Sequence, residues 1–168
     1  MNKINMDSNI AGRVLGVLGN DIPWYKYLQN PIMAPGALIP LGLEFVKSRQ
    51  IAKDIAKYNK NLPQDQKLDS RNNDKYFHQR GMYQAASSGV WSALFAALAG
   101  ELRELNDARL LRKDGVPEHA IQAERQKDLQ NNYDAIIMAL QGTDPVDRVV
   151  IPNPTIISIQ EKKKNGEI

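Results

Sequence analysis

Apolar positions in the middle of the chain recur every three to four residues, which is the spacing of one face of an α-helix. Breaks in this pattern fall at Gly89, Gly115 and Gly142, where glycine is typical of a helix end. We therefore expect an all-α protein, a single domain of about four helices with irregular N- and C-terminal arms. The four predicted helices cover residues 41–59, 75–87, 90–113 and 117–141.

The N-terminal arm is predicted to comprise residues 1–36, which are rich in Gly, Asn and Pro and lack a long periodic stretch. A short helix is expected within it at residues 10–18. The aromatic residues Trp24, Tyr25 and Tyr27 follow closely, and we expect them to pack on the body of the domain.

The helical core domain is predicted at residues 37–142, and residues 143–168 are predicted to form an extended C-terminal arm and a charged tail. Two β-branched stretches, 149–151 and 155–159, are separated by prolines, so they predict at most a short edge strand. The tail from residue 161 onwards is highly charged and is expected to fray.

Three of the predicted helices carry an apolar stripe that we expect to form the core. The run at 90–98 is apolar on all sides but too short to span a bilayer, which needs about 20 residues, so it is predicted to be buried. The stripes are Leu41, Phe45, Ala52 and Ile55 in the first helix, Trp91, Leu94, Phe95 and Leu98 in the third, and Leu129, Tyr133, Ile136 and Leu140 in the fourth.

Composition narrows the classes of function. The 168 residues are 42% hydrophobic and 24% charged, the balance of a soluble globular domain, and they include no Cys. The missing Cys excludes disulfides, Cys-ligated zinc, iron–sulfur clusters and thiol catalysis. The net charge is only +3, with a lysine run at 162–164 in the tail, which argues against a nucleic-acid interface. We expect no signal peptide and no transmembrane segment. The expected location is the cytoplasm of the producing cell, with delivery from it or association with a virion as further options.

Known catalytic motifs do not occur in the chain: it has no Walker loop, dinucleotide fingerprint, nucleophile elbow or zincin motif. Only two histidines, His78 and His119, are present, so any metal site would depend on carboxylates. His78 lies on the second predicted helix in a row with Met82 and Ala85. It is either a partly buried structural histidine or a general base that faces a cleft between helices.

Two further polar groups lie beside the predicted apolar stripes. Glu101, Glu104 and Asp107 are spaced by three along the third helix, and Asp128 and Asn132 are one turn apart on the fourth. Acids on the exposed side of a helix are ordinary, and polar residues beside a buried stripe often form a structural network. Paired carboxylates are also what acid–base catalysis or a hard metal ion requires.

These residues occur in an order that resembles a small domain at the C-terminal end of Rhs-type polymorphic toxins and of related phage and secretion-system proteins. The resemblance covers approximately residues 73–135. It implies an effector-like or phage-associated context but supplies no reaction. The matching segments are Asp74-Lys75-Tyr76-Phe77-His78, Gln84-Ala85-Ala86, Arg103-Glu104 with Asp107, and Asp128 with Asn132.

Carried over by position, the resemblance marks one polar set, and the sequence departs from the family at two places near it. Met82 stands where the family commonly has Asn, and Ala135 stands where it commonly has Gly. The polar set consists of His78, Glu104, Asp107, Asp128 and Asn132.

Our leading hypothesis is a bacterial effector-like or phage-associated domain with hydrolytic activity. His78 would act as the base on a water, while Glu104, Asp107 and Asp128 would either hold a divalent cation or orient the histidine. Asn132 would bind the substrate through its amide. The sequence leaves the cofactor unknown, with a divalent metal as one option.

The alternative is a non-enzymatic structural or interaction protein of a virion or secretion apparatus. Its terminal arms would dock on a protein partner, or an immunity-type protein would bind it, and the C-terminal arm would pair by strand addition. The two hypotheses differ in whether the five polar residues converge in space.

Overall fold

The computed structural model describes residues 9–68, 73–142 and 154–167. Within these ranges the fold is all-α and contains no strand, which confirms the predicted fold class. The described residues form six α-helices rather than about four: α1 Ile10–Gly16, α2 Leu38–Asn59, α3 Asn73–Ser87, α4 Val90–Lys113, α5 Glu118–Gln141 and α6 Pro154–Lys164.

Short 3-10 turns connect α1 to α2. The predicted helix at 10–18 is present as α1 and the first of these turns, and the side chain of Asn9 caps it by accepting a hydrogen bond from the Gly12 amide at 2.8 Å. The turns cover Val17–Gly19, Trp24–Leu28 and Pro31–Ala37, and a further one at Gln64–Gln66 follows α2.

The aromatic residues of the N-terminal segment do not pack on the body as predicted. Trp24 is 74% exposed, Tyr25 53% and Tyr27 47%. The segment contacts the start of α4 instead, where the Gln29 side chain accepts a hydrogen bond from the backbone amide of Ser92 at 3.0 Å. It also approaches Gly89 closely. A Cβ on Gly89 would lie 2.7 Å from the Lys26 carbonyl oxygen, and its φ of 144° also favours glycine.

The main core lies between α3, α4 and α5 and is built from small residues on α4 and larger ones on α5. The predicted stripe of α5 is confirmed, because Leu129, Tyr133, Ile136 and Leu140 are all buried. Close approach is required at Gly100, where an added Cβ would lie 3.0 Å from Met82 Cε. The small buried residues are Ala85 and Ala86 of α3 and Ala93, Ala96 and Ala97 of α4.

The predicted core stripe of α4 is wrong. Trp91, Phe95 and Leu98 are 43%, 39% and 43% exposed, and only Leu94 packs partly against the core. The run is apolar on all sides, so its periodicity could not identify the inner face. The alanine face of α4 packs inward, and the large side chains therefore point outward.

The buried face of α2 is also rotated from its predicted position. Ile55 is buried as expected, but Phe45 is 40% exposed and Ala52 is exposed. Residues at spacings of four, three and four form the inner face instead, because α2 packs on α3 through a partly polar surface. They are Glu44, Ser48, Ile51 and Ile55.

The segment at 155–159, predicted as an edge strand or extended arm, is part of α6. Pro154 occupies the first helical turn, and burial of Ile156 and Ile159 against Ile55 and Phe77 outweighs the β-preference of isoleucine. The tail predicted to fray continues as helix to Lys164. The stretch 149–151 lies outside the described residues.

None of the helices in the described part of the chain combines the length and the apolar content that a membrane span requires.

Candidate functional site

A polar cavity of about 120 Å³ lies where one end of α3 meets the middle of α4 and α5. At about 30 Å³ per water in the liquid, it has room for a few waters or one small polar group. Its walls are almost entirely charged or amide side chains: Lys75, His78 and Gln79 from α3, Arg103 and Glu104 from α4, and Glu124, Lys127, Asp128, Asn131 and Asn132 from α5.

Four of the five predicted site residues line this cavity, namely His78, Glu104, Asp128 and Asn132. Asp107 does not line it. It lines a second, adjoining cavity of about 90 Å³ that shares Glu104 and Asp128 with the first. The predicted residues are therefore close together, although their chemical roles stay predictions.

Helical spacing explains why these side chains meet. The α5 residues of the cavity fall at intervals of three and four, which places them on one side of the helix next to the buried stripe. Lys75, His78 and Gln79 repeat the same spacing on α3. Gln79 is not among the predicted residues, and neither are several α5 residues whose regular spacing indicates a polar face. The α5 residues missed are Glu124, Lys127 and Asn131.

Glu104 is the most deeply placed acid of the cavity. It is 4% exposed, and burial raises the pKa of its carboxyl to about 7. The Arg103 guanidinium, 3.3 Å from Oε1, partly opposes this rise in pKa, whereas the charges of Asp128 and Asp107 add to it. Near neutral pH the carboxyl therefore exists in both protonation states, as an acid–base catalyst requires.

Asn132 provides a buried amide beside this carboxyl. Its side chain is near enough to Glu104 to lower the pKa of the acid slightly, and the residue is 4% exposed. Its Nδ2 has no well-formed hydrogen bond to any described residue, and neither has Nδ2 of Asn131. Buried amide nitrogens are normally paired, so the Asn131 amide is suited to an oxygen atom of a ligand, whereas the Asn132 amide is partly engaged by Glu104.

Cations surround the acids at the rim. Lys75 Nζ lies 3.4 Å from Asp128 Oδ1, and Arg103 lies 3.4 Å from Asp107 Oδ2. Both pairs are partly exposed, so they hold the side chains in position without contributing much stability. The cavity therefore presents cations and carboxylates in similar number, which suits a strongly polar group.

The hypothesis that the carboxylates hold a divalent cation gains no support. Across the described ranges, no three His, Asp or Glu side chains converge closely enough to hold a metal ion.

Glu101 belongs to the predicted acidic row, but its side chain does not line the cavity and contacts two arginines instead. It is fully buried and forms an ion pair with Arg13 of α1, a second with Arg125 of α5 at 3.2 Å, and accepts a hydrogen bond from Tyr133 Oη at 3.0 Å. The hydrogen bond to Glu101 raises the pKa of Arg13, and burial raises that of Tyr133. This cluster ties α1 to the bundle. The sequence signal for this cluster is Arg13, the single charged residue in α1.

Comparison of the chain with protein-family models, with curated proteins and with solved structures finds no match in any of the three. The resemblance to Rhs-type toxin domains therefore stays a prediction, and the candidate function depends on the geometry of the cavity.

Proposed function

We propose that the cavity between α3, α4 and α5 is a hydrolytic active site in a bacterial effector-like or phage-associated protein. The observation that carries the proposal is the convergence of His78, Glu104 and Asn132, from three different helices, on one small polar cavity. Glu104 is only 4% exposed there. Burial of a carboxyl costs stability, so this position favours a functional role for the acid.

Glu104 is the general base in this proposal, in place of His78 as in the sequence-based hypothesis, because its buried carboxyl has a pKa near neutrality. Its carboxylate accepts a proton from a water in the cavity, and the water oxygen forms a bond to the electrophilic carbon or phosphorus of the substrate. The bond to the leaving group then breaks, and protonated Glu104 returns the proton to the leaving oxygen. The pKa of about 7 suits both steps at neutral pH.

Five of the other lining residues bind and orient the substrate. Arg103, Lys75 and Lys127 supply positive charge where negative charge develops in the transition state, and the Asn132 amide donates to a substrate oxygen. His78 lines the same cavity and orients the attacking water. The small cavity volume means that only the reacting group of a larger substrate enters.

The test is a hydrolysis assay on purified full-length chain with p-nitrophenyl esters, phosphomonoesters, phosphodiesters and glycosides, each with and without EDTA. We expect one class to be hydrolysed and Glu104→Gln to lower kcat by at least about a hundredfold. Glu124→Gln is the matched control, because this rim glutamate is exposed and should lower the rate only slightly. Equal rates for the wild type and Glu104→Gln in every class would contradict the proposal.

A second candidate function, a non-enzymatic interaction protein, is favoured by the exposed apolar side chains of the N-terminal segment. Trp24, Leu28 and Ile32 are 74%, 71% and 82% exposed, more than a monomeric surface normally leaves in one stretch. Strand addition by residues 155–159 is no longer part of this candidate, because they are helical. The test is expression of the chain in bacteria: if growth is inhibited, and Ile32→Asp abolishes the inhibition while Glu104→Gln does not, the interaction function is favoured.

A further inference from the structure

The outward face of α4 is a continuous apolar stripe. Its five members follow spacings of four, three, four and three, so they lie on one line along the helix, opposite the buried face at Gly100. Each exposes between 38% and 57% of its area. The stripe consists of Trp91, Phe95, Leu98, Leu102 and Leu105.

This spacing is the heptad pattern of a helix that packs along another helix. The first part of α4, at 90–98, is apolar on all sides, and such a segment is normally buried on all sides. Within the described part of the chain, however, only one side of it is buried. We propose that a second copy of this chain covers the stripe, and that the two α4 helices pair antiparallel about a twofold axis at Leu98.

Side-chain size supports an antiparallel register. With Leu98 against its copy, Trp91 faces Leu105 of the second copy and Phe95 faces Leu102. Each aromatic ring then meets a leucine, so every layer combines a large and a smaller side chain. A parallel pair would place Trp91 against Trp91 and leave the leucine layers thinner.

Charge supports the same register. Arg109 continues the stripe at its C-terminal end, and no charged residue lies on the stripe between 91 and 105. Parallel pairing would bring two Arg109 side chains together in an apolar setting. Antiparallel pairing separates them and places each arginine beyond Trp91 of the other copy, where the ring face can accept the guanidinium.

A dimer interface needs more apolar surface than the stripe alone, and a segment packed on α4 adds to it. A standard interface buries about 800 Å² on each partner, which is more than one helix stripe provides. The turn at Pro31–Ala37 packs against α4 and exposes Ile32 and Met33 by 82% and 68%. The cavity lies on the other side of α4, so pairing leaves it open.

The first test is sedimentation equilibrium of the full-length chain from about 1 to 100 µM. We expect a dimer that dissociates on dilution. Leu98→Glu should weaken dimerisation by at least about a hundredfold, because it places two carboxylates together at the twofold axis. Leu110→Glu is the matched control: it lies on the same helix and is 48% exposed, but points about 100° away from the stripe. A monomeric wild type, or a Leu98→Glu dimer as stable as the wild type, overturns the proposal.

The second test fixes the register and does not depend on a destabilising change. The chain has no Cys, so single-cysteine variants report cleanly. Under mild oxidation, Leu98→Cys should form a disulfide-linked dimer, and Trp91→Cys should not, because its two copies lie ~21 Å apart along the axis. The double variant Trp91→Cys with Leu105→Cys should cross-link. Cross-linking of Trp91→Cys alone would overturn the antiparallel pairing. A monomer that binds lipid vesicles through the stripe would overturn the second copy as its occupant.

Discussion

Replacement of Glu104 by Gln tests whether the carboxyl is held in the cavity against the stability of the fold. The substitution keeps the shape of the side chain and removes its charge. Burial raises the pKa of Glu104 from its ordinary value of 4.5 to about 7, and each pKa unit corresponds to about 1.4 kcal/mol. Ionised Glu104 therefore costs the folded protein roughly 3 kcal/mol relative to a neutral side chain.

The sign of the effect depends on pH. Because the pKa of the folded state lies above that of the unfolded state, the folded protein retains a proton that the unfolded chain releases between about pH 4.5 and pH 7. The contribution of Glu104 to stability is complete below pH 4.5 and is lost as the pH rises through 7. Glu104→Gln should match the wild type to within about 1 kcal/mol at pH 5 and exceed it by roughly 3 kcal/mol at pH 8.

Urea unfolding at pH 5, 6.5 and 8 measures this difference, and thermal melts should show a gain of roughly 6–12 °C at pH 8. Glu118→Gln is the control, because its effect on stability at neutral pH is expected to have the opposite sign. Glu118 is exposed, and its hydrogen bond with Arg112 lowers the pKa of the acid to about 2, so the substitution should remove a little stability at neutral pH. If Glu104→Gln is less stable than the wild type at pH 8, the Arg103 contact outweighs burial and the reasoning is refuted.

Three further substitutions test the packing. Arg13→Ala should cost about 3–5 kcal/mol in urea unfolding, because it removes one partner of the buried Glu101; a loss below 1 kcal/mol would show that Arg125 alone satisfies the acid. Ile156→Ala, at a fully buried position of α6, should cost about 2–5 kcal/mol, whereas Ile157→Ala on the exposed side should cost less than 1; equal losses would contradict the docking of α6. Phe95→Ala should cost about 1–2 kcal/mol in the monomer, less than a fully buried ring, and more at concentrations where two copies pair; a cost independent of concentration would argue against pairing.

The presence of α3, α4 and α5 could be predicted from the sequence. Glycine and proline positions mark their ends, and the apolar spacing of α5 is clear. The inward face of α4 could not. A helix with apolar residues on every side gives no periodic signal, and only the close packing against α3 and α5 decides that alanine points inward. Helix α6 was hidden for the opposite reason, since Ile156 and Ile159 favour a strand locally and become helical through burial.

The candidate site could be predicted in part. Glu104 and Asn132 stand beside apolar stripes, so the positions of their helices imply that they approach one another. Glu101 has the same spacing in sequence but faces a different neighbour, because Arg13 and Arg125 reach it from α1 and α5. Long-range ion pairs of this kind leave no periodic trace, so one acid of a row can be structural while the next lines a cavity.

Gly100 connects the hydrophobic packing of the bundle to the polar cavity. A methyl group at this position would lie 3.0 Å from Met82 Cε and 3.4 Å from Asn132 Nδ2. The thioether of the core and the amide of the cavity therefore both pack on Gly100. A larger side chain at Gly100 would therefore displace both Met82 and the Asn132 amide of the proposed site. Under the proposed function, substitutions at Gly100 or Met82 should change activity, although neither residue lines the cavity.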